Sequence, residues 1–213
     1  MKRLLLAAAL AAAPAAAPRA ETTPEFAFGL AATTNYIFRG ESQTDDRPAL
    51  QGYVEGSLGG FYAGAWASNV RIDDDRIELD LYAGFRNTVG ALDYDIGYVR
   101  YLYDETGDCC GEAYLALDYA FAETGAFGGA YFYDFDAGTS WLDVRAGADV
   151  GELFALDGAI GTDFGTLDLG RDDKIAWNLG ATRALTEILS VDLRYHDSNY
   201  DPGRLVLTFA ADF

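Results

Sequence analysis

The single histidine of the chain, His196, stands two residues before Ser198. An imidazole can take the proton from a serine hydroxyl and activate it as a nucleophile, when a carboxylate orients the imidazole. Further along the chain only Asp201 and Asp212 could supply that carboxylate. A serine hydrolase is therefore one function to weigh, and a histidine at the edge of a loop with no catalytic role is the simpler interpretation.

The stretch His196-Asp197-Ser198-Asn199 resembles the His-x-Ser-Asn motif of the outer-membrane lipid A deacylases. This resemblance implies that His196 would activate Ser198. The rest of the match fails, because those barrels are smaller and the glutamate that the family requires further along has no counterpart here. We therefore predict that the protein is not an enzyme, with no catalytic residues, no metal and no cofactor.

The two cysteines, Cys109 and Cys110, are adjacent and fall in a predicted outer loop. Cysteines in an oxidising compartment are expected to pair. We predict a vicinal disulfide, although Cα atoms about 3.8 Å apart fall below the usual disulfide range. A redox or metal-binding role of the thiols is the alternative.

The run Asp73-Asp74-Asp75 lacks EF-hand spacing, so a solvated acidic turn or a cation bridge to lipopolysaccharide is favoured over a specific Ca²⁺ site.

The formal net charge of −19 excludes nucleic acid as a partner, since phosphate recognition needs clustered Lys and Arg. The N-terminus predicts a signal peptide: Lys2 and Arg3 are followed by an apolar stretch of about ten residues and then by small residues up to Ala20. We divide the chain into a signal peptide at 1–20, a short lead at 21–25 and one folded domain at 26–213.

Apolar and polar residues alternate along most of that domain. In one strand Ile77, Leu79, Leu81, Ala83 and Phe85 alternate with Glu78, Asp80, Tyr82, Gly84 and Arg86. A membrane-spanning strand needs about 9–11 residues of this pattern. The pattern predicts strands at 26–38, 77–86, 92–102, 112–121, 142–150, 154–164, 189–196 and 205–213, and weaker ones at 48–58, 61–70, 127–136 and 174–183.

The connections alternate between two kinds. The short, nearly neutral ones are Gly59-Gly60, Thr88 to Gly90, Glu123 to Gly125, Gly151-Glu152 and Leu185 to Glu187. The longer, acidic ones are Gly40 to Arg47, Arg71 to Asp75, Asp104 to Gly111, Asp136 to Thr139, Leu167 to Asp173 and Asp197 to Gly203. This arrangement predicts an all-β, up-and-down antiparallel transmembrane barrel of about twelve strands with periplasmic termini. A soluble β-sandwich, which also alternates, is the competing architecture.

The last predicted strand ends on Phe213, with Phe209 on the same face. A terminal phenylalanine that closes an alternating strand resembles the signal by which bacterial outer-membrane proteins are recognised. We therefore predict that Phe209 and Phe213 are read by the barrel-assembly machinery.

The polar positions of these strands would line the lumen. Its charged candidates are Arg39, Glu55, Glu78, Asp80, Arg86, Asp93, Asp95, Glu112, Asp118, Asp143, Arg145, Asp149, Asp157, Asp163, Asp192, Arg194 and Arg204. Charges that face a pore set its ion preference, and this acidic set favours cations. The alternative is that the Arg–Asp pairs neutralise one another in a closed lumen.

The segment 35–45, which begins Asn35-Tyr36-Ile37-Phe38-Arg39-Gly40, is followed by Pro48-Ala49-Leu50-Gln51-Gly52 and by the aromatic and glycine-rich runs 60–70, 78–85 and 94–98. This region resembles the TorF family of proposed porins, proteobacterial proteins otherwise described as of unknown function. The resemblance is specific over 35–100 and diffuse afterwards. It implies an outer-membrane barrel with a pore, and it implies no substrate.

Together these observations predict an outer-membrane porin through which small solutes diffuse passively, with a cation preference. Its expected partners are outer-membrane lipid, lipopolysaccharide, the barrel-assembly machinery and the solutes. The sequence does not define an oligomeric state. The alternatives are a non-conducting barrel that binds surface partners and, on Ser198, a lipid hydrolase.

Overall fold

The structure is a computed structural model that describes residues 23–121, 124–164 and 173–213. Twelve strands form one closed antiparallel barrel, and a two-stranded ribbon, β2 and β3, lies in the connection that follows the first strand. The strands are β1 (Glu25–Thr33), β2 (Ile37–Phe38), β3 (Glu41–Ser42), β4 (Ala49–Leu58), β5 (Phe61–Ile72), β6 (Asp75–Val89), β7 (Leu92–Tyr103), β8 (Gly107–Ala120), β9 (Gly125–Asp134), β10 (Thr139–Val150), β11 (Phe154–Phe164), β12 (Ile175–Ala184), β13 (Leu189–Ser198) and β14 (Arg204–Asp212). The prediction of an all-β, twelve-stranded antiparallel barrel is confirmed. No helix within the described residues has the length and apolar character that a membrane span requires.

The barrel is closed by pairing between its first and last strands. Residues 29–33 of β1 pair with 208–212 of β14. Beyond this ladder Phe28 and Phe213 exchange two backbone hydrogen bonds of 3.2 and 2.9 Å, and their rings stack with centroids 4.9 Å apart. The C-terminal residue therefore completes the seam, and the sheet has no free edge.

Side chains alternate between the two faces of the wall. In β6 the exposed Ile77, Leu79 and Leu81 face outward, whereas Glu78 and Asp80 are each only 3% exposed and face the lumen. The other barrel strands repeat this arrangement, so the outer face is covered by exposed large apolar side chains. A continuous apolar exterior of this kind marks contact with hydrocarbon or with a partner.

The two ends of the barrel differ. One end, here called the turn end, carries the short connections and both termini of the described barrel. The opposite end, here called the loop end, carries the connections 34–48, 73–74, 104–106, 135–138 and 199–203. Most of the predicted loop Leu167 to Asp173, Glu123 of a predicted turn, and the predicted signal peptide lie outside the described residues.

Two predicted boundaries are the most in error, and the loop predicted from Arg71 to Asp75 also shortens to residues 73–74. The first strand ends at Thr33 rather than at Phe38, because the Thr33 hydroxyl donates a 2.9 Å hydrogen bond to the Asn35 carbonyl and the chain leaves the wall there. The loop predicted from Asp104 to Gly111 shrinks to three residues, and Cys109 and Cys110 lie in β8. A register shift explains this: Tyr101 pairs with Cys110 and Leu102 with Asp108, so Cys109 is the extra residue of a bulge.

Candidate functional site

The candidate site is the barrel lumen, and the predicted charged residues share the inward register of their strands. These wall residues are Glu55, Glu78, Asp80, Arg86, Asp93, Asp95, Glu112, Asp118, Asp143, Arg145, Asp149, Asp157, Asp163, Asp192, Arg194 and Arg204. Arg39 differs, because it belongs to the ribbon and not to the wall. Phe209 and Phe213 lie on the outward face and are half exposed, and their role in assembly stays a prediction.

Arginines of the wall pair with carboxylates two strands away. Arg145 of β10 reaches Asp118 of β8 with Nη2 and Oδ2 2.6 Å apart, and Arg194 of β13 reaches Asp157 of β11 at 2.7 Å. Both pairs are bidentate. Because each pair spans only one intervening strand, it runs along the wall and does not cross the lumen.

Inward-facing glycines make room for these pairs. Gly128 of β9 lies beneath the Asp118–Arg145 pair, and Gly180 of β12 lies beneath the Arg194 guanidinium. A Cβ at Gly180 would stand 2.5 Å from Cζ of Arg194, and a Cβ at Gly128 would overlap the Asp118 carboxylate. The absence of a side chain on the middle strand is therefore what lets each guanidinium lie flat against the wall.

A third wall arginine is held by a carboxylate and an aromatic ring. Arg86 lies 2.6 Å from Glu55 Oε2, and its guanidinium stands 3.8 Å from the ring centroid of Tyr62. The Tyr62 hydroxyl donates a 2.5 Å hydrogen bond to Asp95 and also hydrogen-bonds the hydroxyl of Tyr114. Charge and aromatic surface alternate along this part of the lumen.

The ribbon occupies the lumen at the loop end. Arg39 and Gly40 form its two-residue turn, with φ of 47° and 81°, and Phe38 pairs with Glu41. Positive φ at both central residues is the geometry of a type I′ turn, which is uncommon for arginine. The surrounding contacts hold the arginine in this backbone conformation.

The Arg39 side chain lies in a site built from three strands, here called the arginine box. Its guanidinium makes two hydrogen bonds to Glu112 of β8, 2.7 and 2.9 Å long. Its Cζ stands 5.1 Å from the ring centroid of Phe132 on β9, 5.1 Å from that of Trp141 on β10 and 4.7 Å from that of Phe38. A bidentate carboxylate combined with aromatic faces is a favourable setting for a guanidinium.

Two buried carboxylates lie beside the arginine box without an ion-pair partner among the described residues. Asp80 Oδ1 and Glu78 Oε2 are inaccessible to solvent and make no hydrogen bond. Asp80 pairs in register with Tyr101, whose hydroxyl donates a 2.8 Å hydrogen bond to Glu112. The loop end of the lumen therefore holds two buried carboxylate oxygens that no described donor satisfies.

The rest of the connection is anchored around the rim. Glu41 lies 2.8 Å from Nζ of Lys174, and Asp46 accepts hydrogen bonds from Arg204 and, at 2.7 Å, from Asn35. The Arg204 hydrogen bond holds the pKa of Asp46 below its usual value. Asp46 is exposed, so its pair with Arg204 contributes at most about 1 kcal/mol, whereas Lys174 is only 8% exposed and its pair with Glu41 is partly buried.

The alternative catalytic pair lies at the loop end of β13. His196 and Ser198 both face inward from β13. The Ser198 hydroxyl oxygen accepts backbone N–H groups of Tyr200 and Asp201, at 3.3 and 2.9 Å. This hydroxyl organises the turn between β13 and β14, and within the described residues no hydrogen bond joins it to the imidazole.

Cys109 and Cys110 are joined as a vicinal disulfide at the bulge of β8. In the part of the chain that the structure describes, no group of three or more His, Cys, Asp or Glu side chains could hold a metal ion.

Sequence reasoning missed the ribbon and the aromatic walls of the arginine box. The sequence predicts Arg39 as a lumen residue on a strand, and it predicts no role for Phe132 and Trp141. The polar run Thr33-Thr34-Asn35 and the Arg39-Gly40 dipeptide are the signals that could have ended the strand early. No local signal identifies Phe132 and Trp141, because they meet Arg39 only in the closed barrel.

Comparison with known proteins gives a family and a fold. The family model described as a bacterial protein of unknown function (Gcw_chp) matches residues 16–210. A solved structure of the KdgM porin is similar, with a TM-score of 0.68 at 8% identity over 88% of this chain and 99% of that one. KdgM in complex with disordered oligogalacturonate gives a TM-score of 0.63 at 7% identity over 87% and 96%. An outer membrane channel from Pseudomonas putida F1 gives 0.53 at 14% identity over 88% and 95%. No curated protein matches.

The glycine beneath Arg194 can be tested by substitution. We expect Gly180→Ala to destabilise the barrel by about 1–3 kcal/mol, because the added methyl group must displace the guanidinium from Asp157. The control is Gly56→Ala on the outward face, where the nearest atom to the new Cβ is 3.3 Å away on the Phe26 ring. Urea unfolding in lipid vesicles measures the free energy of unfolding of both variants. Equal stability of the two variants would contradict the role assigned to Gly180.

Proposed function

The chain belongs to the Gcw_chp family of bacterial proteins of unknown function, and we propose that it is an outer-membrane channel through which small solutes diffuse passively. The observation that carries the proposal is a closed barrel with an apolar exterior and a charged interior. Only a closed sheet satisfies all strand hydrogen bonds inside hydrocarbon, and a polar interior is what a water-filled passage requires.

The proposed orientation follows the usual arrangement of outer-membrane barrels. The turn end, with both termini, faces the periplasm, and the loop end faces outward, where its acidic residues would meet lipopolysaccharide through bridging cations. The predicted signal peptide and the C-terminal Phe213 fit export and recognition by the barrel-assembly machinery. The resemblance to the TorF porins supports the same assignment.

The charge of the lumen supports a preference for cations. Each of the wall arginines Arg86, Arg145 and Arg194 has a carboxylate within 2.7 Å, so their charges are balanced locally. Within the described residues the inward carboxylates Asp93, Asp149 and Asp163 have no ion pair, and they give the lumen a negative field. Such a field raises the local concentration of cations and excludes anions.

The negative charge of the lumen argues against oligogalacturonate, the ligand of the KdgM porin, as a solute of this protein. Oligogalacturonate, with which KdgM was solved, carries repeated carboxylates. A lumen with surplus carboxylates of its own would repel such a chain, and paired arginines offer it no free positive charge. We therefore propose that the shared barrel is used here for solutes of the opposite charge.

Ion selectivity is the direct test of this proposal. In planar bilayers under a KCl gradient we expect discrete conductance steps and a reversal potential on the cation-selective side. The double variant Asp93→Asn, Asp149→Asn should lower the cation preference, because it removes two inward carboxylates that have no ion pair among the described residues. The control is Glu152→Gln, Glu187→Gln, which removes two exposed charges at the turn end.

Two results would contradict the proposal. Anion selectivity would remove the cation preference, and a correctly folded protein that never conducts would favour the non-conducting, surface-binding barrel. The ribbon lies in the lumen and narrows the passage, so it is the structural feature that would explain a barrel that does not conduct.

Two single substitutions test the membrane assignment, one that adds an arginine to the outer face of the wall and one that adds an arginine to the lumen face. Ile160 is half exposed on the outward face of β11, and its neighbour Ala159 faces the lumen. We expect Ile160→Arg to destabilise the barrel in lipid vesicles by about 2–4 kcal/mol, as for a charge near the bilayer midplane. Ala159→Arg should cost less, because the new guanidinium faces the polar lumen and not lipid, even though Arg145 lies directly opposite it on β10. Equal losses in urea unfolding would contradict a lipid-facing exterior.

A further inference from the structure

We propose that the arginine box is a binding site for solutes that carry a guanidinium group, and that Arg39 occupies it as a tethered internal ligand. The inference rests on the proposed channel function, since it names the class of solute that would compete for this position in the lumen. It goes beyond a general cation preference, because it assigns recognition to one carboxylate and its aromatic neighbours.

The geometry of the box fits a planar cation. Glu112 is 5% exposed and presents both carboxylate oxygens to one guanidinium, at 2.7 and 2.9 Å. Phe132 and Trp141 belong to the barrel wall, so they remain in place when Arg39 leaves. A bidentate carboxylate selects the fork-shaped guanidinium over a compact ammonium, and aromatic faces add attraction for a cation.

A second observation is an unsatisfied acceptor beside the box, even with Arg39 in place. Asp80 is 3% exposed, and its Oδ1 has no hydrogen-bond partner. It faces the lumen next to Tyr101, whose hydroxyl is bonded to Glu112. A buried acceptor without a partner is costly, and a ligand that carries a second cationic group could satisfy it. A dication is therefore a better ligand than a monocation.

The Arg39 side chain and the turn that carries it can leave the box without opening the barrel, although Tyr36 and Ile37 at the start of the ribbon are buried. The ribbon contributes two residues to each strand, and β2 and β3 pair only with each other. The pairs that anchor its connection at the rim, Lys174 with Glu41 and Arg204 with Asp46, are partly exposed to solvent. Displacement of Arg39 would therefore break side-chain contacts at the loop end and leave the barrel ladder intact.

The test uses agmatine, a dication with one guanidinium and one ammonium group, and putrescine, a dication with two ammonium groups. Binding is followed by Trp fluorescence and by calorimetry on the purified barrel in detergent. We expect Arg39→Gln to bind agmatine at least about tenfold more tightly than the wild type, which corresponds to about 1.4 kcal/mol. Putrescine should gain less, because it cannot form the bidentate pair.

The matched control is Arg145→Gln. It removes the same charge from a bidentate pair with Asp118, over which no described ring lies. This variant should bind agmatine as the wild type does. Adding Glu112→Gln to Arg39→Gln should abolish the gain. An equal gain in Arg145→Gln, or equal binding of putrescine, would overturn the assignment to the arginine box.

A measurement on the wild type keeps the proposal falsifiable if Arg39→Gln does not fold. Agmatine that displaces Arg39 should expose the ribbon, so a glutamate-specific protease should cut after Glu41 faster with agmatine than with putrescine. No difference between the two amines would contradict the proposal. Because these measurements are made in detergent, a silent bilayer recording together with tight agmatine binding would reject the channel and keep the site.

Discussion

Closure of the sheet is the constraint on which the rest of the structure depends. Every strand must find two neighbours, and β1 and β14 complete the circle through a ladder that the Phe28 and Phe213 backbones extend by two further hydrogen bonds. Once the sheet is closed, alternation assigns each residue of a barrel strand to the outer face or to the lumen, since a slip of one residue would exchange the two faces. The placement of carboxylates, arginines and glycines inside the wall follows from that single geometric condition.

The arginines of the lumen form two kinds of ion pair. Arg145 and Arg194 are neutralised along the wall by carboxylates two strands away, over a glycine that allows close approach. Arg39 is instead supplied by a connection and meets Glu112 from within the lumen. The first kind of pair belongs to the barrel itself. The Arg39–Glu112 pair can be broken without changing the barrel, so a solute can replace Arg39 there and be recognised by Glu112.

The sequence was sufficient for the barrel and insufficient for the ribbon, for physical reasons. The local sequence predicts a strand such as β6, because apolar and polar residues alternate without interruption from Ile77 to Arg86. A wall with one apolar and one polar face requires that period. The inward register of Glu112 and Asp80 follows from the same period. The contacts of Arg39 with Phe132 and Trp141 join residues about a hundred positions apart, and only closure of the barrel brings them together. The bulge at Cys109 likewise depends on pairing with β7, which no local pattern encodes.

A tethered ligand also sets the concentration at which a solute can act. A group held by a short flexible connection competes with an effective concentration on the order of millimolar. Here the tether is stiffened by the turn at Arg39 and Gly40, whose positive φ angles aim the side chain into the box. A solute with the same head group must therefore either be abundant or gain additional contacts, and the unpartnered Asp80 Oδ1 is the contact that the protein's own arginine does not use. An unsatisfied acceptor beside the occupied box is thus what would allow a soluble dication to displace the side chain of Arg39.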